Sequence, residues 1–219
     1  MKTIQNRGFT LIELLVVITI IAILASLAVP VFSKIQEQGN IVKGTNNVRQ
    51  IFLGLKLFAG DNHGSYPTGG TANKAFQELV KAQVIDKEDV FGCPNSIVGQ
   101  PDGDLGTAPS YAEAVRANEN HWMMTDGLGD SASGQYPILF EAATSASLDP
   151  TWNGSLAGTS VKGRTWSGGK VIVATNDGSV TTYKTANPSA DSPLAPLGSG
   201  GENVFTRVTI PKILDVEGS

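Results

Sequence analysis

The chain has 219 residues, enough for one ordinary domain with an appendage, and 41% of them are apolar, enough to bury a core. Its 16 Lys and Arg against 20 Asp and Glu leave a formal charge of −4, which supplies no general basic footprint for nucleic acid. A single cysteine, Cys93, excludes an intrachain disulfide, and with only His63 and His121 beside it a clustered Cys/His zinc site is excluded too.

The charge is unevenly split: residues 1–60 carry six basic and two acidic side chains, residues 61–219 ten and eighteen. From Phe9 to Phe32 the chain reads FTLIELLVVITIIAILASLAVPVF, 24 residues whose only charge is Glu13. A helix of that length reaches about 36 Å, enough to cross a hydrocarbon core of about 30 Å. Lys2 and Arg7 precede it, so the positive-inside rule keeps that end in the cytoplasm and sends the remainder across. A cleaved secretory signal ending at Ala28 fits poorly, since its apolar stretch runs only about 7–15 residues and carries no acid; a plain uncleaved anchor is the other plain reading of the run. Glu13 itself has two readings. Thr10-Leu11-Ile12-Glu13 matches a capping box, which makes the acid a helix start. A carboxylate in a lipid-facing run is also costly, which asks for a partner.

A basic leader, then Gly8, then Phe9-Thr10-Leu11-Ile12-Glu13 and an unbroken apolar helix resembles the class III signal of type IV pilins and type II secretion pseudopilins. The resemblance implies cleavage after Gly8 by a prepilin peptidase and methylation of the new amino terminus at Phe9. It also implies that Glu13 pairs with the terminal amine of a neighbouring subunit and sets register in a helical homo-oligomeric filament. The implied fold is α+β, a long N-terminal transmembrane and stem helix packed on a C-terminal antiparallel β-sheet head. The parts are then a leader (1–8), a transmembrane and assembly helix (9–32), an amphipathic stem helix (33–60) and a loop-rich head (61–219). The implied setting is the inner membrane, crossed once, with the head periplasmic before it enters the filament. The implied partners are the membrane, the inner-membrane assembly platform and minor pseudopilins.

Pro30 removes a helix donor and clashes with the carbonyl of Ser26, so a kink is expected there, as in pilin stems. Beyond it Ile35, Ile41, Val42, Thr45, Val48, Phe52, Leu55 and Ala59 recur at helical spacing and predict one stripe facing the head. Gly39, Gly44 and Gly54 weaken this half by about 1 kcal/mol each relative to alanine.

After Gly60 the composition shifts: 20 glycines and 10 prolines fall in residues 61–219, so loops dominate. Asp61 to Thr68 is a turn cluster that ends the helix. It resembles the Asp-Asn-Gly-x-Tyr-Pro-Thr segment of major pseudopilins with His63 inserted, and His63 reads as a turn residue. Phe76, Leu79, Val80 and Val84 predict an amphipathic helix over Thr71 to Ile85. Phe91-Gly92-Cys93-Pro94 resembles a Phe-x-Cys-Pro segment of pilin-like proteins, with Cys93 a small buried apolar residue. Tyr136–Glu141, Lys170–Thr175, Val180–Lys184 and Asn203–Ile210 predict strands, and Asn176-Asp177-Gly178-Ser179 predicts a hairpin turn. These strands suit a sheet with one face on the stem and the other in solvent. Tyr111–Met124 is ambiguous between helix and strand, and Asn187–Gly201 reads as a surface loop.

Catalytic signatures fail on inspection. Gly163 to Gly168 has P-loop glycine spacing, but Lys170 comes one residue late and Val171 replaces the hydroxyl. Gly129 to Gly134 is one residue too long for a nucleophile elbow. His121 beside Trp122, Met123 and Met124 suggests packing. Asp102, Asp104, Asp126 and Asp130 lie in Gly-rich loops and could offer oxygens to Ca²⁺, against the plainer reading of solvated turn acids. Major pseudopilins are similar only in having a calcium-binding head loop. The expected function is therefore a non-catalytic filament subunit, a type II secretion pseudopilin. A type IV pilus pilin for adhesion, motility or DNA uptake is the alternative, disfavoured because one cysteine cannot close the usual C-terminal disulfide loop. No basic and aromatic stripe in residues 61–219 points to nucleic acid. A third reading, a membrane-tethered periplasmic binding module or enzyme with a borrowed export signal, requires a ligand pocket in the head.

Overall fold

A computed structural model of the chain describes residues 9–94, 99–157, 159 and 161–218. Helix α1 runs from Leu11 to Asp61, 51 residues, and continues through Pro30. The chain divides into two compact units, one up to Gly39 and one from Asn40 onwards.

In the second unit the buried face of α1 comprises Ile41, Gly44, Asn47, Val48, Ile51, Phe52, Gly54, Leu55 and Ala59. This corrects the predicted stripe, because Val42 is 58% exposed and Thr45 only half-buried; Ile35, in the first unit, is exposed as well. The glycines supply the reason. A Cβ at Gly44 would lie 2.9 Å from Ile172 Cδ1, and one at Gly54 would lie 2.9 Å from Ile85 Cδ1. The helix therefore meets the head along the line where side chains are missing, rotated away from Val42. Asn47 belongs to that line because its Nδ2 donates to the carbonyls of Gly92 (2.9 Å) and Asp89 (3.3 Å).

The turn after α1 is closed by the Gly64 amide donating to the Ala59 carbonyl at 2.8 Å, with His63 in the left-handed region at φ 55°. Helix α2 spans Ala72–Lys81, shorter than predicted. Thr71 caps it, its Oγ1 accepting from the Lys74 amide at 3.3 Å. It stops because Gln83 turns left-handed and lets the Val84 amide fold back onto the Leu79 carbonyl at 3.1 Å.

Among the described residues seven strands follow: β1 Trp122–Asp126, β2 Pro137–Glu141, β3 Trp152–Asn153, β4 Lys170–Thr175, β5 Val180–Lys184, β6 Asp191–Ser192 and β7 Lys212–Leu214. Five form an antiparallel sheet in the order β5-β4-β2-β1-β7, and β3 pairs with β6. The predicted β4–β5 hairpin forms. Asp177 Oδ1 accepts from the Ser179 amide (2.9 Å) and the Thr175 hydroxyl (2.6 Å), and Gly178 supplies φ 84°. The ambiguous stretch resolves into turns up to Glu119 followed by strand β1.

Three expectations are corrected. Asn203–Ile210 is not a strand, because Asn203 Oδ1 accepts from the amides of Phe205 (2.8 Å) and Thr206 (3.1 Å) and holds the backbone in a turn. The pairing strand beside β1 is instead β7. The loop over residues 187–201 is not wholly irregular, since it contributes β6. The sheet is also not open to solvent on one side. Ile172 and Ala174 pack with Phe76, Trp122 and the α1 face, whereas Val171 and Val173 pack with Phe140, Trp152 and Phe205 in a second core. Strands as uniformly apolar as PILF and VIVA need cover on both faces. Phe140 meets Phe205 edge to face at 4.8 Å.

Candidate functional site

The stem begins with a reciprocal cap. The Glu13 amide donates to Thr10 Oγ1 (3.3 Å), and Glu13 Oε2 accepts from the Thr10 amide (2.9 Å) and hydroxyl (2.7 Å). The reciprocal cap thus satisfies the backbone amides of Thr10 and Glu13 at the helix start. Beyond it every residue from Phe9 to Phe32 is exposed. This is one helix long and apolar enough to cross a membrane, by length and composition. Of the residues assigned to processing and assembly, Phe9 stands exposed just ahead of the helix, and Gly8 lies outside the described residues.

The acids assigned to calcium do not converge. Asp126 pairs with Lys212 Nζ at 3.3 Å, while the backbone carbonyl of Asp130 accepts from Lys56 Nζ at 3.1 Å. Asp102 Oδ1 accepts from the Asp104 amide (2.8 Å) and Asp104 Oδ1 from the Gly106 amide (2.9 Å), which are turn bonds. Only Asp102 joins a group whose carboxylate oxygens lie within 4.8 Å of one another, and its companions are Glu88 and Glu119. That group already holds a cation. The Arg116 guanidinium pairs with Asp102, with Glu113 at 3.0 Å and with Glu119 at 3.1 Å. Bonds from these acids hold the guanidinium proton more tightly than usual, Glu119 contributing most. The Asp104 amide and Arg116 hold the Asp102 carboxyl below the ordinary range. The donor set fits this resident guanidinium rather than a divalent ion, which wants six to eight oxygens.

Glu88 is absent from the sequence reading because burial and a backbone partner 27 residues away leave no local pattern; Arg116 is missed although Glu113 and Glu119, three residues to either side, are a local signal for it. Glu88 is buried, and its oxygens accept from the amides of Val115 (2.5 Å) and Gly103 (3.0 Å), pinning the long loop. Burial pushes its carboxyl upward. Glu141, read only as a strand end, is fully buried. Its Oε1 accepts from Trp166 Nε1 (2.5 Å) and the Ile172 amide (2.9 Å), and burial pushes its pKa up to about 7. Tyr66 is buried too, its hydroxyl donating to Asn176 Oδ1 at 2.6 Å, and burial raises its pKa. Asn176 Nδ2 in turn donates to the carbonyls of Ala132 (2.8 Å) and Gly129 (3.2 Å). The Tyr-Pro-Thr turn is thereby tied to the hairpin. Cys93 is buried, its amide donating to His121 Nδ1 at 2.9 Å.

Comparison with known proteins bears on the stem. The prokaryotic N-terminal methylation motif matches residues 4–29. The chain is 37% identical over 81 residues to type II secretion system core protein G of Escherichia coli, covering 37% of this chain and 53% of that protein. The corresponding protein of Pseudomonas aeruginosa is 34% identical over 77 residues, covering 35% and 51%. Type IV major pilin protein PilA of Myxococcus xanthus is 43% identical over 54 residues, covering 25% and 24%. The match thus spans about half the length of the two secretion proteins and a quarter of the pilin. No solved structure matches the chain. With a methylation motif that runs into the capped apolar helix and an antiparallel sheet later in the sequence, the chain is similar to pilin-like proteins that carry a prepilin-type N-terminal signal.

Proposed function

We propose that the chain is a non-catalytic subunit of a pilus-like filament, a type II secretion pseudopilin, cleaved after Gly8 by prepilin peptidase and methylated on the Phe9 amine. The observation that carries this reading is the stem, apolar and exposed from Phe9 to Phe32, attached to a head that has its own two cores. Such a surface needs lipid before assembly and other stems after it. Lipid tails are as apolar as leucine, so exchanging them for neighbouring stems gives no hydrophobic gain, and association rests on close packing and polar pairing. Glu13 is the polar group available, and its pairing with a neighbour's terminal amine relieves two charges that are each costly in a bilayer. The subunit sits in the inner membrane with its head on the periplasmic side, and the assembly platform and minor pseudopilins are its partners.

A type IV pilus pilin is the second reading, supported by the 43% identity with the Myxococcus pilin over 54 residues. Peptide mass spectrometry of the chain purified from its native membranes tests the proposal. A mature chain starting at methylated Phe9 is the expected result. A chain starting at Met1 or Val29 overturns the proposal, because no terminal amine then stands next to Glu13.

A further inference from the structure

At the end of the five-stranded sheet where β1 begins and β2 and β7 end, the flanking loops enclose a cavity of about 330 Å³. Its lining includes Arg164, which is only 6% exposed. Among the described residues no carboxylate forms an ion pair with Arg164, and its buried Nε has no hydrogen-bond partner. A guanidinium keeps its proton at any accessible pH, so the charge persists.

The other ionisable groups around the cavity are engaged. Lys162 Nζ is held by Asp215 Oδ1 at 2.5 Å, Glu217 Oε1 accepts the Thr71 hydroxyl at 2.5 Å, and His121 Nδ1 accepts the Cys93 amide at 2.9 Å. Glu141, whose carboxyl feels the Arg164 charge, gives Oε1 to Trp166 and Ile172. Ala142, Val161 and Val216 make apolar wall. The cavity thus offers one uncommitted, planar, positive hydrogen-bonding fork beside apolar surface.

We propose that this cavity binds a small carboxylate carried on an apolar body, with the Arg164 guanidinium receiving the two oxygens. A carboxylate matches the guanidinium fork in plane and spacing. A phosphate dianion brings a second charge that the apolar wall leaves uncompensated. The carboxylate can belong to a free acid or to the end of a peptide, and both present the same group.

The test is equilibrium dialysis of the full chain in a non-ionic detergent against radiolabelled benzoate, with benzamide as the neutral isostere and inorganic phosphate as competitor. Benzoate should bind about tenfold or more tightly than benzamide, the usual scale of a charge-assisted hydrogen bond, and phosphate should compete poorly. Arg164→Gln should lose that preference. Because a change at a buried arginine can disturb the fold, Val161→Asp is the second variant, at a position 52% exposed. It places a carboxylate at the cavity edge and should abolish benzoate binding with an unchanged melting temperature. Competition by N-acetyl-alanyl-valine and not by its C-terminal amide supports the site with a peptide end as source; competition by neither, with benzoate bound, supports it with a free acid. The proposal is overturned if benzoate and benzamide bind alike, if phosphate competes as well as benzoate, or if folded variants bind benzoate as wild type does.

Discussion

Replacing Glu141 by glutamine should remove a pH dependence from the stability of the head. The carboxyl is fully buried at the end of β2, and its pKa rises from 4.5 to about 7. Below about pH 4.5 it is protonated in both folded and unfolded chains and contributes no pH dependence. As pH rises from there to about 7, the unfolded chain releases the proton and the folded chain keeps it, so stability falls. At about 1.4 kcal/mol per pH unit, the full loss above pH 7 is about 3 kcal/mol. Glutamine keeps an oxygen for Trp166 Nε1 and the Ile172 amide, but it cannot ionise. It also buries an amide NH₂, a cost of about 1–3 kcal/mol that is the same at every pH. Urea unfolding of the detergent-solubilised chain, followed by tryptophan fluorescence, should therefore show the variant gaining on wild type by about 2–3 kcal/mol between pH 5 and pH 8. Contributions common to the two chains cancel in the difference. Parallel stability curves for the two chains across that range would refute the reasoning, and would mean that Glu141 is ionised in the folded head.

Two further outcomes follow from named bonds. Tyr66→Phe leaves buried Asn176 Oδ1 without its 2.6 Å donor and should cost about 1–3 kcal/mol in the same urea assay; a change near zero would show that the Tyr-Pro-Thr turn is not tied through this bond. Arg116→Gln leaves Glu88, Asp102 and Glu119 crowded without their cation, so added calcium at about 1 mM should raise the melting temperature of the variant and not of wild type. An equal rise in both chains would show that the guanidinium does not occupy a calcium site.

Much of the architecture was legible because its signals are local. The apolar run after Gly8, the Thr10–Glu13 cap, the Asn176 to Ser179 turn and the two strands around it all depend on residues within a few positions of one another. What failed depended on distant partners. Asn203–Ile210 has strand composition, yet the Asn203 side chain captures the backbone and Phe205 is drawn into the second core. Val42 has the spacing of a core residue, but the head approaches along Gly44 and Gly54, where spacing counts an absence of side chain as a gap. The calcium acids were chosen for loop composition alone, and composition could not reveal that Asp102 lies with Glu88 and Glu119 against Arg116 while Asp126 pairs with Lys212. Arg164 looked like part of a broken phosphate loop; its isolation comes from cover by segments far away in sequence.

The two glycine notches on α1 also bear on how force passes through the molecule. Ile172 and Ile85 sit against the helix at Gly44 and Gly54, like two teeth engaging one shaft ten positions apart. Sliding the helix by one residue turns it about 100° and presents Lys43 or Thr45, and Leu53 or Leu55, to places where Ile172 and Ile85 would have to shift to make room. A pull along the stem is therefore resisted as shear at both teeth together. The two isoleucines must repack before the shaft can slip.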